Sequence, residues 1–340
     1  MAGSSRKLIL PCAVLVPALV IAGCSSSSSS QGASAGTANT GQSAAGGTQG
    51  KSISFVPGVI GNAFYISMEC SIREEAKQFG FEINLQGASK FDASLQIPVL
   101  NAVVAQNPAG LIIAPDDSKA LFGPISNAAK AGAKVALVDT TLADTSSAIT
   151  SIATDNVQGG AAAADSLATL IGSKGKVMVL AFQPGAATSD DRQKGFEQEI
   201  KKYTNIDYVG PQITNNDPAK AASEVSATLA AHPDLAGIYA TNDRSAEGAA
   251  TGLRNADKAG TVKMVAFDAG PEQIQQLQQG LVQTLIAQQP RQIGANAVDA
   301  IAAALTGKPV QKAVTTKTIT VTKDNLGQPD VQAALYKLSC

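Results

Sequence analysis

The chain has 340 residues and a formal net charge of −1, with 26 Lys and Arg residues against 27 Asp and Glu residues. No basic cluster stands in the part expected to fold, which argues against a nucleic-acid partner, because neutralisation of phosphates supplies most of that affinity. Trp is absent and aromatic residues make up 4% of the chain. A binding pocket in this protein therefore has few rings available.

The N-terminal residues predict a lipoprotein signal peptide over residues 1–23. A basic start at Arg6 and Lys7 precedes an apolar run over residues 8–22, and small residues stand before Cys24. This order is typical of bacterial lipoproteins, in which the cysteine is acylated and the peptide bond before it is cut. A transmembrane anchor needs ~20 apolar residues, whereas this run is shorter and contains two prolines. We therefore expect an extracytoplasmic protein, attached to the cell membrane only through lipid on Cys24.

The signal is followed by a polar segment, residues 24–50, that predicts a flexible tether. It consists mainly of Ser, Gly, Ala, Thr and Gln and has no large apolar residue. Such a segment buries too little surface to offset the entropy of ordering it. The folded part is then expected over residues 51–340, a length that suggests two domains at the usual ~100–200 residues each.

From residue 51 onward, short apolar runs alternate with amphipathic stretches. This alternation predicts an α/β fold with parallel sheets covered by helices on both faces. The units are too many for one open sheet of ordinary size, so we expect two doubly wound lobes with a break around residues 149–155. The predicted strands are 52–56, 82–86, 111–114, 134–138, 176–181, 208–213, 237–240, 262–267 and 284–287. The predicted helices are 66–79, 95–104, 125–131, 161–171, 195–202, 219–231, 245–253 and 293–305.

Polar side chains follow the carboxyl ends of most predicted strands. Ligands of open parallel sheets bind outside those ends. Amide, carboxylate and guanidinium groups supply donors and acceptors in fixed geometry, which suits the hydroxyls of a sugar or polyol. Phe64 and Tyr65, in the predicted loop after the first strand, offer rings for the apolar C–H face. The polar candidates are Asn62, Asp116, Asp117, Asp139, Thr140, Gln183, Arg192, Asn215, Asn216, Asp217, Asn242, Asp243, Asp268 and Gln288.

Each of these residues also has a structural alternative. Asp and Asn after a strand often cap helices or form turns. Arg192 could pair with Asp190 or Asp191, and Phe64 and Tyr65 could belong to the core. The site prediction therefore depends on the spacing of the whole set and not on any single member.

The ordered motifs resemble the ribose-type periplasmic sugar-binding proteins over residues 51–322. These proteins are the solute receptors of ABC importers, and they share their fold with the ligand domains of lactose-type repressors. The motifs are Asn62-x-Phe64-Tyr65, Val138-Asp139, Thr154-Asp155-Asn156 with Gly159-Gly160, Arg192-x-x-Gly195-Phe196, Ala231-His232-Pro233-Asp234, Thr241-Asn242-Asp243, Ala266-Phe267-Asp268 and Ile286-Ala287-Gln288-x-Pro290.

The resemblance implies a type I periplasmic binding protein fold, in which a three-strand hinge joins two lobes. We expect crossovers near Thr154, Gln288 and Thr316, an N-terminal lobe of residues 51–154 plus 289–316, and a C-terminal lobe of residues 155–288 plus 317–340. A monomer that serves an ABC permease and its ATPase is implied as well. The implied ligand residues are Asn62, Phe64, Tyr65, Asp139, Thr140, Arg192, Asn216, Asn242, Asp268 and Gln288.

Two departures from the family pattern bear on the ligand. Thr140 stands where ribose receptors have an arginine, and Asn216 stands where they stack a ring of the second lobe. Loss of a bidentate donor and of a stacking face argues against ribose. We therefore hypothesise a small polyol or another monosaccharide as the ligand.

Enzyme and metal signatures are not found in the sequence. It has no Gly-x-Ser-x-Gly elbow, no Walker-type loop and no dinucleotide glycine fingerprint. His232, the sole histidine, precedes a proline and is expected to be structural, while residues 324–330 do not fit a calcium loop. We expect no catalysis, no metal and no cofactor. A chemosensory or signalling receptor of the same fold remains an alternative, and an enzyme is a more remote one.

Two cysteines remain in the folded part. Cys70 and Cys340 are candidates for a disulfide, since exported proteins form such bonds. The alternative is two independent cysteines, one on the first helix and one on the tail, and the sequence does not decide between them.

Overall fold

A computed structural model describes residues 47–340 as two α/β lobes, each built on a six-stranded sheet. The predicted signal peptide, the lipid attachment at Cys24 and the tether up to residue 46 lie outside the described residues. The predicted C-terminal boundary of the tether, residue 50, is wrong, because residues 47–50 pack against the first lobe. Thr48 is buried and its hydroxyl donates to the carbonyl of Phe79 at 2.7 Å, while Gly50 N donates to Gly80 O at 3.0 Å. Residues 47–50 thus bond at the C-terminal end of the first helix, where carbonyls lack intrahelical partners.

The first lobe takes up the chain as far as residue 154. Its strands lie between helices, as the alternation of apolar and amphipathic segments predicts. In order, the elements are β1 (Ser52–Val56), α1 (Ala63–Phe79), β2 (Glu82–Leu85), α2 (Ala93–Val104), β3 (Gly110–Ile113), α3 (Phe122–Lys130), β4 (Lys134–Val138) and β5 (Thr150–Thr154).

The second lobe follows directly and repeats the same alternation. Its elements are α4 (Asn156–Leu170), β6 (Gly175–Ala181), α5 (Ala187–Ile200), β7 (Ile206–Ile213), α6 (Pro218–Ala231), β8 (Leu235–Ala240), α7 (Asp243–Asn255), β9 (Lys263–Phe267), α8 (Pro271–Gln279) and β10 (Thr284–Ala287). The remaining elements are α9 (Pro290–Leu305), β11 (Ala313–Thr316), β12 (Ile319–Thr322) and α10 (Pro329–Ala334).

The chain passes between the two sheets after β5, after β10 and after β11. The strand orders are β11-β5-β4-β3-β1-β2 and β12-β10-β9-β8-β6-β7. All pairs are parallel except β10 with β12, which is antiparallel. Helix α9 returns to the first lobe and lies so close to α1 that a Cβ at Gly294 would overlap Met68 O, at 2.6 Å. The predicted fold class, two doubly wound lobes joined by three connections, is confirmed.

All nine predicted strands are present, and three have the predicted bounds. Four of the five residues of β1 and of β4 are buried, as are all four of β10, so their apolar runs are continuous. The sequence reasoning missed β5, β11 and β12 as strands. In β11 and β12 exposed and buried positions are mixed, and their short Thr-rich runs give no clear apolar signal.

Helix α1 begins at Ala63, three residues before its predicted start at residue 66. Asn62 is the N-cap, and its side-chain oxygen accepts from Phe64 N at 2.8 Å. Because Asn is among the preferred N-caps, the helix begins directly after it. Phe64 and Tyr65 therefore lie on the first turn of α1 and not in a loop, which corrects the prediction.

Helices α4 and α5 pack closely because glycines stand at their contact. A Cβ at Gly160 would overlap the carbonyl oxygen of Arg192, and one at Gly195 would overlap that of Val157. A Cβ at Gly159 would lie 2.6 Å from the Phe267 ring. No side chain larger than the hydrogen of glycine fits at these positions. The close approach of the two helices therefore requires glycine there.

We expect Gly195→Ala to destabilise the protein by about 1–3 kcal/mol, because the added methyl must push α4 away from α5. Urea unfolding monitored by circular dichroism measures this change. Gly123→Ala is the matched control, since Gly123 lies in α3 with no atom within 4 Å of the added Cβ. That control should be neutral or stabilising, and equal stabilities of the two variants would contradict the packing argument.

Candidate functional site

A cavity of about 40 Å³ lies between the lobes, at the carboxyl ends of the strands of both sheets. A larger pocket of about 870 Å³ adjoins it and shares Val59, Asn62, Phe91, Asn216 and Asp243 as lining residues. Nine of the ten predicted ligand residues line the small cavity: Asn62, Phe64, Tyr65, Asp139, Arg192, Asn216, Asn242, Asp268 and Gln288.

The first lobe presents the start of α1 to the cavity. The Tyr65 hydroxyl donates to Asp139 Oδ2 at 2.7 Å, and the Phe64 ring meets the Tyr65 ring edge-on at 5.1 Å. Asn62 Nδ2 donates to Asp243 Oδ2 at 2.7 Å and so joins the two lobes. The cap residue of one helix is therefore also a contact across the cleft.

Asp139 directly follows β4 and has a positive φ of 63°. Such backbone angles cost free energy and cluster at binding sites, and Asn216 (φ 55°) and Asp268 (φ 80°) share them. Burial raises the pKa of Asp139 to about 6, while the Arg192 guanidinium and the bond from Tyr65 act in the opposite direction. The carboxylate is thus fixed in place and poorly solvated.

Arg192 is the buried cation of the cavity, at 3% exposure. Its Nε donates to Asn156 Oδ1 at 2.8 Å, and a terminal nitrogen donates to Thr241 O at 2.9 Å. Its guanidinium carbon lies 3.7 Å from the centre of the Phe267 ring, a cation–π contact. These three contacts fix the direction in which the remaining donors point. Arg192 lies on α5, whose start at Ala187 is earlier than predicted.

The second lobe contributes a polar set at the start of α7. Asn242 is the N-cap of α7, and its Nδ2 donates to Asn216 Oδ1 at 2.7 Å. The Asp243 N–H donates to Asp268 Oδ2 at 3.1 Å. Burial and the neighbouring Asp268 carboxylate raise the pKa of Asp243 to about 7. Two carboxylates therefore lie side by side at this wall of the cavity.

Gln288 connects the site to the crossovers. Its Nε2 donates to Asp268 Oδ1 at 2.7 Å, and its Oε1 accepts from the Thr154 hydroxyl at 2.7 Å. Thr154 ends β5 and Gln288 follows β10, so this one side chain bonds residues beside two of the three connections between the sheets. This amide therefore joins the site to the connections between the sheets.

Thr140 is the predicted ligand residue that does not line the cavity. It is 1% exposed, and its hydroxyl has no hydrogen-bond partner within residues 47–340. The chain turns at the positive φ of Asp139, so the carboxylate reaches the cavity and the next side chain does not.

Five further residues line the cavity that were not among the predicted ligand residues. Asp243 follows its strand, and Phe182 follows β6 in the same way, so the position of residues after strand ends could have included both. Thr188 precedes Arg192 by four residues on α5 and so shares its helix face. Val59 and Phe91 lie in loops with no comparable signal. Phe91 and Phe182 meet edge-on at 5.6 Å across the cleft.

Asp116 follows β3 and is 2% exposed. Its Oδ2 accepts from Asp92 N at 2.9 Å, whereas its Oδ1 has no partner among the described residues. Burial raises the pKa of Asp116 to about 9, in spite of the bond from Asp92 N. The group is therefore protonated and neutral at pH 7.

The structure also shows where the cysteines and the histidine of the folded part lie. Cys70 on α1 and Cys340 form a disulfide with a Cα–Cα distance of 5.3 Å. His232 is the C-cap of α6. Across residues 47–340 there is no group of His, Cys, Asp and Glu side chains suited to a metal ion. None of the helices in that range has the length and apolarity needed to cross a membrane.

Two parallel-sheet lobes with a polar cavity at their carboxyl edges define a bilobal solute-binding protein. A family model, the periplasmic binding protein domain, matches residues 53–309, and the chain belongs to this family. This confirms the family indicated by the sequence motifs.

Among its relatives, the ribose import binding protein RbsB of Bacillus subtilis (strain 168) is 29% identical over 255 residues, which cover 75% of this chain and 82% of the relative. The D-allose-binding periplasmic protein of Escherichia coli (strain K12) is 29% identical over 244 residues, or 69% and 78% of the two chains. The solved structure of an ABC transporter solute-binding protein from Agrobacterium vitis, bound with α-D-tagatopyranose, is 38% identical with a TM-score of 0.82. The matched region covers 84% of this chain and 99% of the chain in that structure.

We expect Asp116→Asn to flatten the pH dependence of stability. The pKa of Asp116 in the folded protein is about 9, above the ordinary value of 3.8. The neutral carboxyl therefore contributes its full share of folding stability below pH 3.8, and the wild type loses that stability as the pH rises toward 9. An amide stays neutral, and the variant should therefore gain stability over the wild type across that range. Urea unfolding at pH 4, ~6.5 and ~8.5 measures it.

The control is Asp144→Asn, at an exposed carboxylate whose pKa is lowered by bonds from Ser146. This substitution should not flatten the decline above pH ~5. Parallel curves for the wild type and Asp116→Asn would show that Asp116 is not neutral in the folded protein.

Proposed function

We propose that this protein captures a monosaccharide or a small polyol between its lobes and delivers it to an ABC importer. The observation that supports this most is the cavity itself, where both sheets direct amide, carboxylate and guanidinium groups at one point. Adjacent hydroxyls each need a donor and an acceptor, and this mixture supplies both. Relatives whose names state ribose, D-allose or bound tagatose support the same class of ligand.

The residues have distinct proposed roles in binding. The carboxylates of Asp139 and Asp268 accept from ligand hydroxyls, and Arg192 donates to the ring or anomeric oxygens. Asn62 and Asn242 supply amides from the two lobes. Phe64, Tyr65, Asn216 and Gln288 complete the contact set from the sequence motifs.

Ribose is not the ligand we favour. Thr140 stands where ribose receptors have an arginine, and Asn216 stands where they stack a ring. Thr140 also lies outside the cavity. The relative bound with tagatose is the more similar one, at 38% identity. We therefore propose a ketohexose or a polyol ahead of a pentose.

Binding and lobe closure are coupled in this proposal. The cavity of about 40 Å³ adjoins the pocket of about 870 Å³, and residues of both lobes line both spaces, so in this proposal the lobes open to admit a sugar and close around it. A ligand that contacts both lobes favours the closed state by its differential affinity. A micromolar dissociation constant corresponds to about −8 kcal/mol, which exceeds an opening preference of a few kcal/mol.

We also propose that lipid on Cys24 attaches the protein to the outer face of the membrane, and that it works as a monomer with a permease and an ATPase. The support is the signal pattern before Cys24, and mass spectrometry of the Cys24 peptide would detect the acyl chains. A receptor for chemosensing would bind the same ligands and differ only in its partner protein. An enzyme would convert the bound compound.

A thermal-shift screen of the full chain tests the ligand class. The panel contains pentoses, aldohexoses, ketohexoses including tagatose, and C4 to C6 polyols. A ligand at a hundredfold its dissociation constant adds about 2.7 kcal/mol of stability, which raises the melting temperature by several degrees. We expect a ketohexose or polyol to stabilise most. If ribose stabilises most and polyols have no effect, the ligand preference is wrong, and silence across the panel would contradict sugar binding.

Arg192→Ala should raise the dissociation constant of the stabilising ligand at least tenfold. A charge-assisted donor in a buried site is worth roughly 1.5–3 kcal/mol. Thr140→Ala is the control, since Thr140 lies next to Asp139 in sequence but outside the cavity, and should change affinity less than about threefold. Calorimetry measures both, with circular dichroism to verify folding. Equal affinities of wild type and Arg192→Ala would remove Arg192 from the binding site.

A further inference from the structure

The C-terminal segment crosses from the second lobe to the first. Helix α10 packs beside β12, and Tyr336 N then donates to Ala269 O of the second lobe at 3.1 Å. The next residue, Lys337, donates its N–H to the Ser67 hydroxyl on α1 at 2.8 Å. Residues 335–340, called the strap below, end in the disulfide to α1. The expectation that residues 317–340 belong wholly to the C-terminal lobe is therefore wrong from Lys337 onward.

Tyr336 in the strap contacts three residues of the cavity. Its hydroxyl donates to Asp268 Oδ1 at 3.2 Å and accepts from Gln288 N at 3.0 Å. Its ring lies 5.6 Å from the Phe64 ring of the first lobe. Tyr336 is 5% exposed, and burial beside Asp268 raises its pKa well above the ordinary value, so it remains a donor.

We propose that the strap is a fourth connection between the lobes, which limits how far they open and positions Asp268 and Gln288 for the ligand. Tyr336 is a positioning residue, since it acts through those two side chains. The positioning role rests on the proposed sugar-binding function, whereas the limit on opening does not.

The length of the strap sets the limit on opening. Four residue steps separate Tyr336, bonded to the second lobe, from Cys340, covalently bonded to α1. An extended chain spans at most ~3.6 Å per residue, so these anchors separate by no more than about 14 Å before the bonds of Tyr336 break. Wide opening of the lobes therefore breaks the hydrogen bonds of Tyr336 with Asp268 and Gln288, and closure allows them to form again.

Hydrogen exchange in the ligand-free full chain tests the limit on opening. Ser118 N of the first lobe donates to Gly185 O of the second at 3.1 Å, so exchange of this amide reports separation of the lobes. The Cys70→Ser/Cys340→Ser variant should accelerate it about tenfold, equivalent to opening that is about 1.4 kcal/mol easier. Reduction of the wild type should do the same. Buried amides of β3 are the internal control for global unfolding, which loss of a disulfide also favours. Ser118 exchange should accelerate more than exchange of the β3 amides, and equal acceleration of both would reduce the strap to a merely structural role.

Calorimetry with the stabilising sugar tests the positioning role. Tyr336→Phe should weaken binding about tenfold, because a hydrogen bond to a carboxylate is lost, and should also accelerate Ser118 exchange. Tyr203→Phe is the matched control, since the Tyr203 hydroxyl donates to Asp165 at 2.8 Å on the surface of the second lobe, away from the cleft. It should leave affinity and Ser118 exchange unchanged.

The outcomes separate the two claims. Unchanged Ser118 exchange in both the serine variant and the reduced wild type would overturn the limit on opening. Equal affinities of Tyr336→Phe and Tyr203→Phe would overturn the positioning role. If the wild type binds no sugar or polyol of the panel, the proposed function and the positioning role that rests on it both fail, and Ser118 exchange alone decides the limit on opening.

Discussion

The buried guanidinium of Arg192 is the group on which the rest of the site depends. A charge at 3% exposure is tolerated only where hydrogen bonds and neighbouring charges replace water. Asn156, the carbonyl of Thr241 and the Phe267 ring provide that replacement. These partners come from α4 and the ends of β8 and β9, which meet Arg192 only because the glycines between α4 and α5 let the helices approach. Helix packing is in this way a condition for the site.

The charges around Arg192 do not balance. Asp139, Asp243 and Asp268 line the same cavity as this one guanidinium, and burial raises the pKa of the first two to about 6 and 7. Hydroxyl donors stabilise a buried carboxylate by hydrogen bonds and add no charge to the cavity, whereas an anion would add to the negative charge already there. Ligand hydroxyls are such donors. The electrostatics of the cleft therefore favour a neutral, hydroxyl-rich compound over an anion.

The sequence predicted the elements and residues whose position follows from their neighbours in the chain. It did not predict those whose position depends on residues far away in the sequence. Strands β1, β4 and β10 had predictable bounds because they are buried apolar runs, and polar residues after strand ends were correctly expected at one sheet edge. Strands β11 and β12 are too short and polar to be recognised without the partners β5 and β10. The orientation of Thr140 depends on the unusual φ of Asp139, and the role of Tyr336 depends on a disulfide between residues 270 positions apart, so neither follows from local pattern.

Two kinds of contact in the molecule bear on the proposed binding by lobe closure. Inside each lobe the sheet packs against helices through apolar side chains, whose burial is lost on any deformation, so each lobe resists deformation. Between the lobes, hydrogen bonds such as Asn62 with Asp243 and Ser118 with Gly185 accompany the ring contacts of Phe91 with Phe182 and Phe64 with Tyr336. Water or ligand hydroxyls can replace these bonds at a net difference of about 1 kcal/mol each. A ligand that bonds to both walls therefore favours the closed arrangement by its additional bonds.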